Sequence, residues 1–385
     1  MSVQSATARR GSKSKRSTGK FPRLELEATC HVDQLDHLES VLRARVHGQE
    51  DAVDALVCAC TRFVSGLRDP GRPLLTALLM GPTGVGKTET AKAIAEALFG
   101  SERAMTRINC EEYAHGHEIS KLLGSPPGYV GHSIEPILTQ SRIDGPHHDY
   151  LEAKQQVEGI DAVLLEAGRG QYASVVLFDE IEKAHPTLWN ALLGILEDGM
   201  LTLGNNETTD FTRSIILMTS NVGSHAMGEL LEHSTVVGFE AGADDPTGSL
   251  AVQNLAMTAA RESFPPEFLN RFDEVLVYSA LEREHLDTIL DKFIGDLHRR
   301  ALVQARVPLR IQLSAAARAL IIDEGTDPRF GARPLRRAFE RHVVDPISQL
   351  LAGNALGAGD VVEIDVSDGE LAFYRRGRFQ RELVS

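Results

Sequence analysis

No stretch of this chain is apolar for long enough to span a membrane, and residues 1–24 contain no hydrophobic core of the secretory-signal kind. A chain without a membrane partner, cytoplasmic in location, is the expectation. Acidic residues are also missing from residues 1–24, which hold seven Lys or Arg, among them Arg9, Arg10, Lys13, Lys15, Arg16 and Lys20. Set among Ser, Thr and Gly, these read as a basic disordered tail over 1–28. A solvated tail, an Arg- and Ser-rich transit peptide and a phosphate-backbone anchor all suit that composition. Positive charge is short elsewhere. The formal charge is −14 for the 385 residues, which leaves −21 on the body once the tail is set aside. Such a body disfavours general nucleic-acid binding. Cysteine is scarce too. Cys30, Cys58, Cys60 and Cys110 make no disulfide framework, and Cys58-x-Cys60 lies in a helical apolar pattern with no second pair nearby. Core thiols in a reducing compartment are expected rather than a metal site.

An apolar fraction of 42% with 24% charged residues suits a globular chain, and 385 residues allow two or three domains. The organising stretch is Leu74 to Gly100. Leu74–Met80 has the length and richness of a strand buried on both faces. Gly81-Pro82-Thr83-Gly84-Val85-Gly86-Lys87-Thr88 follows at once and fits GxxxxGK[ST]. The chain then turns helical, with Ile94, Ala95 and Leu98 on one face and Gly100 as C-cap. Glycines let the backbone curl so that its N–H groups face phosphate oxygens, and the helix N-terminus adds positive potential. Lys87 reaches the β- and γ-phosphates, and the Thr88 hydroxyl ligates Mg²⁺. This is a site for a nucleoside triphosphate such as ATP.

Ahead of it, Cys30–Leu67 is helical, with a turn at Arg45-Val46-His47-Gly48-Gln49. Behind it, Met105–Asn109 is a candidate strand. Lys121–Gly131 contains two prolines and three glycines and projects Tyr129 and Val130 on a loop. An aromatic between glycines there points to solvent-facing function rather than satellite packing. Gly145-Pro146-His147-His148 reads as loop, followed by helical periodicity over Leu151–Ala167. Ser174–Phe178 is a second buried strand and ends in Asp179-Glu180. Carboxylates at a strand's C-terminal end face the ligand of an open α/β sheet, Asp179 toward Mg²⁺ and Glu180 toward the attacking water. A helix opened by His185-Pro186 spans Trp189–Leu196, and a polar hairpin turns around Gly204-Asn205-Asn206 within Gly199–Phe211. Ser214–Ser220 is a third buried strand and ends in Asn221, an amide suited to orienting water or the γ-phosphate. Val275–Tyr278 is one more. From Ala280 the alternation stops. Helices are expected over Leu281–Val303, Ser314–Glu324 and Arg336–Ala352, then a hairpin of Val361–Val366 and Glu370–Tyr374 turning at Ser367-Asp368-Gly369.

Seven collinear segments resemble the AAA+ ATPases, within them the Clp unfoldases, and specifically their second ATPase ring. They are RVHGQEDAV (45–53), GPTGVGKTETAKAIAEALFG (81–100), LLGSPPGYVGH (122–132), VVLFDEIEKAHP (175–186), IILMTSNVGS (215–224), PPEFLNRFDEVLVY (265–278) and DPRFGARPLRRA (327–338). The resemblance covers roughly 38–376. It implies an α/β P-loop NTPase large domain at 29–279, a parallel sheet between helices, with an insert at about 136–173. A smaller, mostly helical C-terminal domain at 280–385 ends in a β hairpin. It implies that Val46 and His47 line the adenine pocket, that Asn221 is the first sensor, and that Arg333 of the small domain touches the γ-phosphate. Arg271 matches the arginine finger that enters a neighbouring subunit's site, which implies a ring, usually a hexamer. Tyr129 and Val130 match the pore loop that grips extended polypeptide, a grip any side chain accepts from an aromatic face. Val237-Gly238-Phe239 is similar to the tripeptide with which some members dock a ClpP-like peptidase, and is equally an ordinary turn.

The chain departs from the family after the pore loop, with His132-Ser133-Ile134-Glu135-Pro136 in place of an acid and two glycines, and with a longer segment before Ser174. Without the family's first ring and N-terminal domain, substrate recruitment is expected from the tail, the insert or an adaptor. The expected function is an ATP-dependent protein unfoldase with polypeptide substrates. A regulatory ATPase switching a single partner is the alternative that the loop and insert favour, and a nucleic-acid remodeller rests on the basic tail alone.

Overall fold

The runs that alternate nowhere between apolar and polar become the central strands. A computed structural model of the chain describes residues 35–126, 128, 135–151, 173–224, 226–227, 246–327 and 331–378. The tail at 1–28, Tyr129, Val130, nearly all of Leu151–Ala167 and Val237-Gly238-Phe239 lie outside the described residues. Strands β1 (Leu75–Met80), β2 (Thr106–Asn109), β3 (Ser174–Asp179), β6 (Ser214–Ser220) and β7 (Glu274–Val277) form one five-stranded sheet. All pairings are parallel, in the order β2-β3-β6-β1-β7. Every residue of β1, β3 and β6 is buried.

The two-residue period divides those strands between two cores. Leu75, Ala77, Leu79, Val175, Leu177, Ile215 and Leu217 pack on one face against α1 (Asp36–Arg45), α2 (Glu50–Val64) and α3 (Lys87–Phe99). Leu78, Met80, Val176, Phe178, Ile216 and Met218 pack on the other against the helix Pro186–Asp198 and the helix Pro246–Ser263. Truncating a residue such as the fully buried Phe178 to alanine costs about 3–5 kcal/mol. Between β3 and β6, β4 (Met200–Thr202) and β5 (Thr208–Asp210) form the expected antiparallel hairpin.

A third core belongs to residues 281–373. It joins the helices Arg283–Val303, Ala315–Glu324, Arg333–Phe339 and Asp345–Ala352 to β9 (Asp360–Ser367) and β10 (Glu370–Arg378). A strand not anticipated from sequence, β8 (Arg310–Leu313), pairs parallel with β9, so the terminal hairpin is part of a three-stranded sheet. Four residues with only Ile311 buried leave too faint an alternation to read. The helix expected over Arg336–Ala352 is interrupted by a π turn at Glu340–Val344. Pro346 has no N–H to offer the ladder, and the wider turn absorbs that loss.

Two further expectations are corrected. Gly145-Pro146-His147-His148 belongs to the helix Gln140–Leu151 rather than to a loop. Its first turn is fixed from outside: Asp210 N–H donates to Gln140 Oε1 at 2.7 Å, and Ile143 is fully buried. Tertiary anchoring there outweighs local composition. Cys60 and Cys110 are buried free thiols, but Cys58, half-buried on the flank of α2, is disulfide-bonded. Among the described residues no helix is long and apolar enough to cross a membrane, and no cluster of His, Cys, Asp or Glu has metal-binding geometry.

Candidate active site

The parallel register decides which motifs meet. Met80 pairs with Ser220, Phe178 with Met218 and Asn109 with Asp179, so the carboxyl ends of β1, β2, β3 and β6 lie level. The loop after β1, Asp179-Glu180 and Asn221 therefore open on one edge, the ligand edge of such sheets. Gly81, Gly84 and Gly86 have φ of 141°, 76° and 115°, which favour glycine. A Cβ on Gly81 would lie 2.6 Å from the carbonyl of Tyr278. The first turn of α3 has N–H groups with no partner inside the helix.

Lys87 is the electrostatic centre. Its ammonium donates to the carbonyls of Gly81 and Pro82 at 2.5 and 2.6 Å and to Asn221 Oδ1 at 2.9 Å. Burial pushes it down to about 8, although Glu182, Asp179 and Glu180 pull the other way. Thr88 Oγ1 donates to Asp179 Oδ1 at 3.2 Å, and Asp179 also accepts from Thr219 Oγ1 and Arg107 Nη2, both at 2.5 Å. Asn221 Nδ2 donates to Glu180 Oε1 at 3.2 Å. Glu182, two residues on, accepts from the Asn221 N–H at 3.0 Å and so fixes where that amide stands.

The third core closes the cleft. Arg333, at the start of its helix, lines the same cavity, and its charge works against Lys87. Ala332 N–H donates to Gly84 O at 3.0 Å. Gly331 has φ 55°, and a Cβ there would lie 2.7 Å from the carbonyls of Gly84 and Thr83. On the other flank, Val46 is buried beside Gly86, and His47 borders the cavity. Burial first, then the charges of Lys292 and His285, lower His47 and keep its ring neutral at pH 7. Gln49 ties the start of α2 to the segment after β7, donating to Ser279 O at 2.9 Å and accepting from Ser279 N–H at 2.9 Å. Lys292 crosses to Glu89 Oε1 at 2.7 Å, which Arg45 also holds at 2.8 Å. Burial raises the Glu89 carboxyl, but these two cations bring it below the ordinary carboxylate range.

The structure thus brings together Val46, His47, Gly81 to Thr88, Asp179, Glu180, Asn221 and Arg333. It does not bring Arg271 with them. Arg271 pairs with Glu197 at 2.6 Å, and its carbonyl accepts from Arg72 at 2.8 Å, before β7 begins. Its neighbour Asp273 bonds to Thr76, four residues back from Met80 and so about 13 Å from the ligand edge. Arg107, Glu182, Thr219, Gln49, Gly331 and Lys292 escaped the sequence reading. Glu182 alone had a visible signal, a third acid inside the motif; the others act through contacts distant in sequence.

The cavity holds about 500 Å³, within the range of small-ligand sites. A buried lysine with three oxygen partners, the buried and unpartnered Thr83 Oγ1, and an Asp beside a Thr hydroxyl fit a nucleoside triphosphate with Mg²⁺.

These features define a P-loop nucleotide site at the edge of a parallel sheet. The family model for the AAA domain (Cdc48 subfamily) matches residues 72–148 and 150–275, and that for the C-terminal, D2-small domain of ClpB protein matches 281–364. The chain belongs to the AAA+ ATPases, in their Clp family. It is 40% identical over 343 residues to the negative regulator of genetic competence ClpC/MecB of Bacillus subtilis (strain 168), covering 89% of this chain and 38% of that one. With the chaperone protein ClpB 1 of Parasynechococcus marenigrum (strain WH8102) it shares 39% identity over 341 residues, 89% of this chain and 35% of that one. The chain therefore spans little more than a third of the length of these relatives. A closed-state reconstruction of Hsp104 with ATPγS and FITC-casein superposes with a TM-score of 0.69 at 29% identity, covering 89% of this chain and 52% of that one.

Proposed function

We propose that the chain is an ATP-dependent protein unfoldase, a ring ATPase that threads polypeptide through a central pore. The observation that carries the proposal is the convergence of Lys87, Thr88, Asp179, Glu180 and Asn221 on one cavity closed by Arg333. The loop Gly81–Gly86 and Lys87 bind the phosphates, with Val46 and His47 beside the adenine. Thr88 and Asp179 would hold Mg²⁺, which when bound neutralises phosphate charge. Glu180 takes a proton from the water whose oxygen attacks the γ-phosphorus as the bond to ADP breaks; Asn221 orients that water. Arg333 contacts the γ-phosphate from the small domain, 280–385, and the cleft against the large domain, 29–279, opens and closes with the cycle. Arg271 serves the neighbouring subunit's nucleotide, so the working form is an oligomer, a hexamer in this reading. Its place away from its own cavity suits that role. Tyr129 and Val130 grip the polypeptide, and an adaptor or the insert at 136–173 recruits it. A ClpP-like peptidase docking at Val237-Gly238-Phe239 and residence in the cytoplasm complete the proposal; nucleic acid is not a substrate.

The test is a trap. Glu180→Gln is expected to bind ATP, assemble and lose turnover by about 10²–10⁴-fold, and mass spectrometry of the recovered ring identifies what it holds. Varied polypeptides, lost on Tyr129→Ala, are the expected result. Brisk hydrolysis by Glu180→Gln overturns the assignment of roles. The name of the Bacillus subtilis relative supports a second reading, a regulatory switch. One dominant partner that survives Tyr129→Ala would favour it.

A further inference from the structure

The helix Arg333–Phe339 has two faces. Leu335, Ala338 and Phe339 are buried in the third core, and Arg333 and Arg336, one turn apart, stand on the side left to solvent. Both arginines line the nucleotide cavity. Arg337, also exposed, is turned away from it. The γ-phosphate accounts for Arg333, and Arg336 is left without a ligand of its own.

Two contacts set the direction in which this helix crosses the cleft. At its start, Ala332 N–H donates to Gly84 O at 3.0 Å and Gly331 abuts the carbonyls of Thr83 and Gly84, so Arg333 stands over the phosphate loop. At its end, the Phe339 ring centroid lies 5.7 Å from that of Phe293, which lines the cavity from the helix Arg283–Val303. Phe293 follows Lys292, whose charge reaches His47 on the adenine flank. The helix therefore runs from the phosphate loop toward that flank, and Arg336 lies about 4.5 Å further along its axis than Arg333.

The Arg336 guanidinium is open to a ligand. Glu340 Oε1 accepts from Nε at 3.3 Å, which leaves both Nη groups to donate elsewhere. The Arg336 and Glu340 side chains are 68% and 48% exposed, so the pair is weak and yields to a phosphate, which arginine can hold with two parallel bonds.

We propose that Arg336 binds the diphosphate that ATP and ADP have in common, while Arg333 binds the γ-phosphate that ATP alone carries. The inference rests on the ATPase reading above and adds to it a division of labour within the small domain. One arginine reports that a nucleotide is present, and the other reports which. The joint closes on either nucleotide through Arg336 and closes further on ATP through Arg333.

The experiment measures Kd for ADP and for ATPγS by competition against a fluorescent ADP. Arg336→Gln is expected to weaken both by the same factor, about three- to tenfold, and Arg336→Lys to restore part of the loss, because the charge faces phosphate. Arg333→Gln is expected to weaken ATPγS about tenfold and ADP by no more than about twofold. Two controls separate contact from structure. Arg337→Gln removes the same charge outside the cavity, and Glu340→Gln removes only the partner of Arg336; each should leave both constants within about twofold of wild type. An Arg336→Gln loss confined to ATPγS, or no loss at all, overturns the proposal. So does an equal loss in either control, or an Arg333→Gln loss shared by ADP. Failure of the ATPase reading looks different: wild type would bind neither nucleotide, or Glu180→Gln would turn over ATP.

Discussion

The cavity has two sides that are built differently. The phosphate side is made of short segments at the ends of neighbouring parallel strands, where each polar atom is held by several others: Asp179 by Thr88, Thr219 and Arg107, and Lys87 by two carbonyls and Asn221. The opposite side touches it through single links, namely Ala332 to Gly84 and Lys292 to Glu89. The first arrangement suits chemistry, which needs preorganised charge. The second suits a joint, whose closing is set by a few contacts worth about 1 kcal/mol each. Breaking the first should abolish binding or turnover, and breaking the second should tune affinity.

The largest effect expected is at Lys87. Lys87→Met should weaken ATPγS binding about 100-fold or more in a fluorescence titration. The pH dependence has a definite sign. Free Lys87 titrates at about 8, below its ordinary 10.5, and a bound phosphate raises that value. Affinity is therefore full below pH 8 and falls above it, by at most about tenfold per pH unit. Stability of the empty protein moves the opposite way. The unfolded chain holds the proton between about 8 and 10.5, so over that window rising pH stabilises the fold. Lys87→Arg should flatten both profiles, and affinity that stays level above pH 8 would remove Lys87 from the centre of the site.

Gly331→Ala probes the joint. A methyl group at φ 55° against two carbonyls costs about 1–3 kcal/mol, so ATPγS affinity should fall roughly tenfold while Glu180 and Asp179 stay in place. Unchanged affinity would mean that this side contributes nothing to binding. The smallest effect is expected from Lys292→Met. Its pair with Glu89 is about one-third exposed, so a two- to fivefold loss, fading at high salt, is the expected reading. A salt-independent loss would point instead to packing by the lysine stem.

The phosphate side was legible because its information is local. A buried strand, a glycine loop and a helix must be contiguous to make the cradle, and Asp179-Glu180 and Asn221 each close a readable apolar run. The joint was not legible. Nothing near Lys292 announces Glu89, more than two hundred positions earlier, and Gly331 shows no reason for its glycine until Thr83 and Gly84 lie against it. The strand Arg310–Leu313 was missed because one buried residue makes no pattern. The helix through Gly145-Pro146 was missed because its anchor is Asp210.

The sequence by itself determined which motifs line the cavity, the glycine loop with Lys87 and Thr88 and the acids Asp179 and Glu180, and that the sheet is parallel, since strands buried on both faces separated by helices admit little else. Tertiary structure alone decided which side chains meet around it. The pairing of Glu180 with Lys183, the turning of Arg271 toward Glu197, and the approach of Gly331 and Lys292 to the cleft all depend on side chains brought close by folding. Hydrogen bonds and ion pairs act over a few ångströms in space whatever the separation along the chain, and only the folded backbone fixes those distances.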